Sequence, residues 1–152
     1  MKRPADAVTG LILETFRLNG RLLAAGDALV RGLDLTSARW QVLGAMAAAP
    51  VPLSVAQIAR SMGLTRQAVQ RLANDMARQG LVRFAANPHH RRAKLIMMTP
   101  RGQAAYSAAM KRQAPWAHAL AQGLGAQQIG SAASLLRALR QRLERDRPDE
   151  GD

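Results

Sequence analysis

None of the 152 residues is cysteine. Disulfides, thiolate metal sites and thiol-based redox sensing are excluded with it. Aromatic residues make up 3% of the chain, so Ala, Leu and Met carry most of its apolar mass. Sheet-rich chains lean on branched and aromatic side chains, so this balance favours helices. No apolar run approaches the roughly 18 residues of a membrane span, and Glu14 and Arg17 interrupt the apolar stretch behind Met1-Lys2-Arg3-Pro4. A soluble cytoplasmic protein with no membrane partner is expected. The length suggests one domain, 1–152.

Acid is the scarcest chemistry where it would matter most. From Leu35 to Leu143 there is one carboxylate, Asp75, among fifteen basic residues, ten of which lie between Arg66 and Arg112. The net charge is +12, and 19 of the 22 basic residues are arginine. Arginine offers a planar fork to phosphates and guanine edges. A compact domain tolerates such self-repulsion best when a polyanion is its usual partner, which points to nucleic-acid binding and, in a cytoplasmic protein, to association with the nucleoid.

The same distribution speaks against an enzyme. Paired carboxylates cannot be assembled in the middle of the chain. His89, His90 and His118 have no nearby acid to complete a triad or a metal site, and adjacent histidines on a hairpin diverge. No glycine-rich phosphate loop is present. Neither cofactor nor metal is expected.

Apolar spacing sets out the elements. Val8, Leu11, Ile12, Thr15, Leu18, Asn19, Leu22, Gly26, Leu29 and Val30 predict a helix from about Asp6 to Arg31, broken by Gly32 and Asp34. Thr36 caps a second helix with Trp40, Leu43 and Ala47 on its inner face. Pro50 and Pro52 end it and leave Val51 and Leu53 extended. Ser54 and Gln57 have capping-box spacing and open a short helix. Gly63-Leu64 turns the chain, and Thr65 caps a helix that ends at Gly80. Helix, short turn, helix is the helix-turn-helix layout. Strands follow at Leu81–Ala86 and Lys94–Thr99, joined by the basic link Asn87-Pro-His-His-Arg-Arg-Ala93. Thr99 and Pro100 begin a helix expected to bend near Pro115. A last helix, about Gln127 to Arg145, has Ile129, Leu135, Leu136, Leu139 and Leu143 at core spacing, and a polar tail, 146–152, closes the chain.

The helix after Thr65 is two-faced. Ala68, Val69, Leu72, Ala73 and Met76 share one arc; Arg66, Gln67, Gln70, Arg71, Asn74 and Arg78 share the opposite one. A merely solvated face mixes signs to gain i,i+4 pairs. This face holds only guanidinium and amide groups, the chemistry that reads base edges and phosphates.

Helix-turn-helix followed by a basic-tipped hairpin is a winged helix: mainly α, with a small β-hairpin wing. Framed by N- and C-terminal helices, the order resembles the multiple-antibiotic-resistance regulator (MarR) family over nearly the whole chain. The family's wing signature is Asp-x-Arg, five residues, then Leu-Thr; here His90-Arg91-Arg92 stands five residues before Met98-Thr99. Leu64-Thr65-Arg66-Gln67-Ala68-Val69, Gly80-Leu81-Val82 and Thr99-Pro-Arg-Gly102 are also similar to the family. His90 and Asn87 depart from it by replacing acids, which strips negative charge from the wing and leaves Arg92 without its usual partner.

The resemblance implies a homodimeric transcription regulator, usually a repressor, on a pseudo-palindromic operator. The flanking helices, 6–34 and 100–145, would form the dimer around the DNA-binding region, 36–99. Arg66, Gln67, Gln70 and Arg71 would meet the major groove of double-stranded DNA, with Thr65 and Asn74 also among the DNA-binding residues. His89, His90, Arg91, Arg92 and Lys94 would meet the minor groove and phosphates, with Arg92 entering the groove. Many relatives release DNA when a small aromatic or carboxylate effector binds between the dimer helices and the winged helix; Phe16, Arg17, Arg39 and Trp40 would line such a site. Two other functions stay open: a sequence-tolerant architectural DNA binder, and a small-molecule carrier with a vestigial winged helix.

Overall fold

The computed structural model describes residues 3–146. The rest of the expected polar tail lies outside the described residues. The elements in order are α1 (Pro4–Leu29), α2 (Ser37–Ala48), β1 (Leu53–Ser54), α3 (Val55–Met62), α4 (Arg66–Arg78), β2 (Val82–Ala85), β3 (Leu95–Met98), α5 (Pro100–Leu120) and α6 (Ala126–Arg145). They fall into two compact units, Met1–Gln113 and Ala114–Asp152.

In the first unit, α1 starts two residues earlier than its spacing predicts, because Pro4 suits the first helical position, where no N–H is needed. Gly32 and Asp34, at φ +83° and +57°, take the chain out of the helix. The next helix is docked tightly against the end of α1. Asp27 Oδ1 accepts the Ser37 N–H at 2.7 Å, and Ser37 Oγ donates to the Leu23 carbonyl at 2.6 Å. A side chain at Gly26 would collide with that hydroxyl, so the crossing depends on glycine.

Thr36 caps α2 as expected, accepting from the Arg39 N–H. Its inner face is turned from the expected one: Val42 and Leu43 are buried, Trp40 is half-buried, and Ala47 is exposed. The helix presents its 42–43–46 side to the core, so Ala47, in the last turn, reaches solvent. Ser54 and Gln57 form both halves of a capping box at the start of α3. Gly63, at φ +67°, ends that helix, with the Gly63 and Leu64 N–H groups returned to the Arg60 and Ala59 carbonyls.

The sheet has three strands in the order β1-β3-β2, both pairings antiparallel. The hairpin expected from sequence is its larger part, Val82 facing Met98 and Ala85 facing Leu95. The third strand, Leu53–Ser54, pairs with Ile96 and Leu95, where the sequence predicts only extended chain. Two residues are too few to show a period of two. The core sits between this sheet and α2 to α4: Leu43, Ile58, Val69, Met76, Leu81 and Ile96 are fully buried.

The end of α4 and the start of α5 are knotted together. The Gly80 and Leu81 N–H groups close α4 on the Ala77 and Met76 carbonyls. The Thr99 hydroxyl is within reach of the Gly80 and Leu81 carbonyls, at 2.5 and 3.0 Å, and accepts from the Gly102 N–H at 3.0 Å. The helix runs on through Pro115 to Leu120. In the second unit, α6 has no buried residue: its core-spaced Ile129, Leu135, Leu136 and Leu143 are all exposed in the single chain. The stripe exists, and nothing among the described residues buries it.

Gly102 packs so closely on Leu81 that an added methyl would overlap the Leu81 carbonyl, a backbone atom that cannot swing aside. Gly102→Ala should therefore destabilise the first unit by about 1–3 kcal/mol, the usual cost of overpacking. Urea unfolding checks it as a lowered midpoint with unchanged slope, whereas Gly130→Ala, which meets only open space, should leave the midpoint in place or raise it.

Candidate nucleic-acid interface

Helix α4 and the wing enclose a hollow of about 960 Å³, lined by Ser54, Val55, Ala56, Arg66, Gln67, Gln70, Arg71, Asn74, Phe84, Arg92, Ala93 and Lys94. Seven of the residues expected to meet DNA thus converge on one concavity. Arg66, Gln67, Gln70, Arg71 and Asn74 come from the exposed face of α4, which is held outward because Val69, Ala73 and Met76 are buried beneath it. Arg92 and Lys94 come from the wing. The knot at Thr99 sets the two walls against each other.

The electrostatics are one-sided. Asp75, the single acid of this region, is paired with Arg78 in the last turn of α4, away from the hollow's arginines. Among the described residues, Arg66, Arg71, Arg92 and Lys94 have no carboxylate partner, so four cations face the concavity uncompensated. Gln70 Nε2 donates to Asn74 Oδ1 at 2.8 Å, one helical turn apart. This leaves Gln70 with a free carbonyl oxygen and one free N–H, the donor–acceptor pair that matches adenine N6 and N7.

The other expected DNA residues are placed differently. The Thr65 hydroxyl is taken up as the cap of α4, accepting from the Ala68 N–H at 3.1 Å. His89, His90 and Arg91 are exposed at the wing tip and do not line the hollow. Asn87 organises that tip: its side-chain oxygen accepts the His89 N–H at 3.0 Å and its carbonyl accepts the His90 N–H at 3.2 Å. The amide that replaces an acid here folds the turn itself. Sequence reasoning misses Ser54, Val55, Ala56, Phe84 and Ala93. The first three reach the hollow because β1 pairs with β3 and carries the start of α3 to the wing.

The four residues expected around an effector are not gathered in one hollow. Arg17 is ion-paired with Glu14 at 2.5 Å and lines a shallow depression with Glu14, Leu18 and Arg21. Phe16 is 71% exposed on α1. Trp40 packs against the core, and Arg39 donates to Gln79 Oε1 at 2.9 Å and to the Asp34 carbonyl at 3.3 Å. Among the described residues no three metal-ligating side chains cluster, and no helix is long and apolar enough to cross a membrane.

Comparison with known proteins agrees with this geometry. The MarR family profile matches residues 33–93, which supply all of the hollow's lining but Lys94. The uncharacterized protein Rv2011c of Mycobacterium tuberculosis is 32% identical over 144 residues, 95% of this chain and 99% of its own length. Among solved structures, the M. tuberculosis transcriptional regulator MosR, determined in complex with DNA, superposes with a TM-score of 0.76 at 24% identity, over 90% of this chain and 98% of its own. CouR of Rhodococcus jostii, bound to p-coumaroyl-CoA, gives 0.76 at 21% identity, over 92% and 96%. A three-stranded wing, a helix-turn-helix with an acid-free outer face and this likeness along almost its whole length make the chain a member of the MarR family of DNA-binding transcription regulators.

Proposed function

We propose that the protein represses transcription as a homodimer on a pseudo-palindromic operator, working on chromosomal DNA in the cytoplasm. The observation that carries the reading is the hollow itself: amides and arginines on one wall, wing cations on the other, and no unpaired acid between them. The amides discriminate bases while the arginines and Lys94 neutralise phosphates. Arg92 enters the minor groove from the wing, with His89, His90 and Arg91 near the flanking backbone. A dimer seated across a promoter would exclude polymerase, which is the mode of repression proposed.

Dimerisation is supported by what one copy leaves uncovered. Val8, Ile12, Leu13, Phe16, Leu18, Leu22 and Leu23 of α1 are exposed, as is the leucine stripe of α6. Isolated apolar side chains on a surface are ordinary, but two contiguous stripes are not. Both are covered if two chains pair about a two-fold axis. An effector, a small aromatic or carboxylate molecule, would act where α1 meets the winged helix, near Phe16, Arg17, Arg39 and Trp40. That CouR was solved with an acyl-CoA bound supports a ligand-responsive scaffold.

The net charge of +12 favours a second reading, an architectural protein that binds any duplex. Three measurements separate the readings. Single alanines at Arg66, Gln67, Gln70 and Arg71 should include at least one that costs about 1–3 kcal/mol and relaxes preference at one position per half-site. Gln70→Ala should do so at an adenine. If all four weaken operator and random duplex equally, the architectural reading replaces this one.

Sedimentation at micromolar concentration should report about twice 16.4 kDa. A monomer there would contradict the two-fold operator.

His90→Asp restores an acid two residues before Arg92 and removes charge from the tip. Affinity for random duplex should fall more than affinity for operator. The slope of log K against log salt should become shallower, by roughly 0.9 for each phosphate that the wing ceases to neutralise. Fluorescence anisotropy at several salt concentrations reads both. Equal losses on the two duplexes, with no change in slope, would make His90 a passive substitution.

A further inference from the structure

Away from the DNA face, three arginines converge on the turn between α1 and α2. Arg112, from α5, donates to the Leu29 and Arg31 carbonyls at 2.9 and 2.8 Å and so closes the end of α1. Arg101, from the first turn of α5, holds the Asp34 carboxylate at 2.8 Å, its stem passing beside Gly80 at the end of α4. Arg39, from α2, bridges the Asp34 carbonyl and Gln79 Oε1. Gln79 is the residue that terminates α4. The C-terminal end of the helix that faces DNA is therefore tied by Arg39 to the turn that ends α1, and Arg101, which holds Asp34 on that turn, passes beside it at Gly80.

We infer that Asp34 and Arg39 are positioning residues for operator discrimination, fixing the tilt of α4 relative to α1. The inference rests on the proposed base-reading role of α4 and on dimerisation through α1. Helix α4 has 13 residues, so at 1.5 Å per residue its reading end lies about 20 Å from its anchored end. A tilt of about 10° about that anchor moves the first turn by about 3 Å, as large as the donor–acceptor distance of a base contact. Phosphate contacts made by long, flexible cations survive such a shift; bidentate base contacts do not. The Asp34 and Arg101 side chains are each 60% exposed. An ion pair that open to water contributes little to stability, so its effect shows in geometry more than in melting temperature.

The test is Asp34→Asn and Arg39→Gln in the full chain, with anisotropy on the operator and on a random duplex of equal length at one salt concentration. The first substitution adds a positive charge and the second removes one. A purely electrostatic role moves random-duplex affinity in opposite directions and leaves the operator-to-random ratio within twofold of wild type, which would overturn the inference. Loss of positioning lowers that ratio at least fivefold in both variants, with each still a dimer by sedimentation. Gln79→Ala removes the acceptor on α4 without altering charge. It should lower the ratio as Arg39→Gln does, and the double substitution should go no further; an unchanged ratio in Gln79→Ala also overturns the inference, even if Arg39→Gln fails to fold. A wild-type protein with no operator preference would instead overturn the base-reading role of α4, a distinguishable failure.

Discussion

Everything on the DNA face depends on one threonine. Thr99 is the last residue before α5, and its hydroxyl reaches back to the carbonyls of Gly80 and Leu81 while accepting the Gly102 N–H. Its own N–H goes to the Leu81 carbonyl at 3.1 Å. Four segments meet there: the end of α4, the start of β2, the end of β3 and the first turn of α5. Losing one partner from this half-buried polar knot leaves the others less well satisfied, so the helix and the wing keep one mutual arrangement. The hollow is the space that this arrangement leaves.

Charge then decides what the hollow accepts. Nothing in its lining is acidic, and the lone carboxylate of the region is paired with Arg78 at the far end of α4. No acid among the described residues satisfies these cations, and a polyanion relieves their repulsion by exchanging counterions. In the proposed function, charge steers the protein to DNA and the amides of Gln67, Gln70 and Asn74 would give it grounds to prefer one sequence. The exposed stripes of α1 and α6 belong to a separate part of the proposal, as the surface a second copy would cover.

Much of this is legible in the sequence because the relevant signals are local. Capping residues such as Thr36, Ser54 and Thr65 announce helix starts by side-chain chemistry, and the acid-free arc of α4 follows from helical period alone. What the sequence hides is set by long-range packing. Strand β1 is too short for a pattern, yet its pairing with β3 brings Ser54, Val55 and Ala56 to the DNA face. Ala47 lies on a plausible inner arc of α2, but the turn of that helix against α3 and α4 buries Val42 instead. The leucines of α6 are core-spaced, though periodicity does not say in which copy the core is completed. The contacts of Arg39 join residues 40 positions apart and have no signature in a single chain.

Hydroxyl-radical footprinting on the DNA flanking the protein's own gene tests the central claim most directly, because it reports where the two reading heads sit without assuming an operator. The account predicts two equivalent protected patches on one face of the duplex, their centres about 34 Å or one helical turn apart. Minor-groove protection should lie beside each patch, where Arg92 enters. Continuous protection that spreads with protein concentration and begins at no fixed base would contradict it.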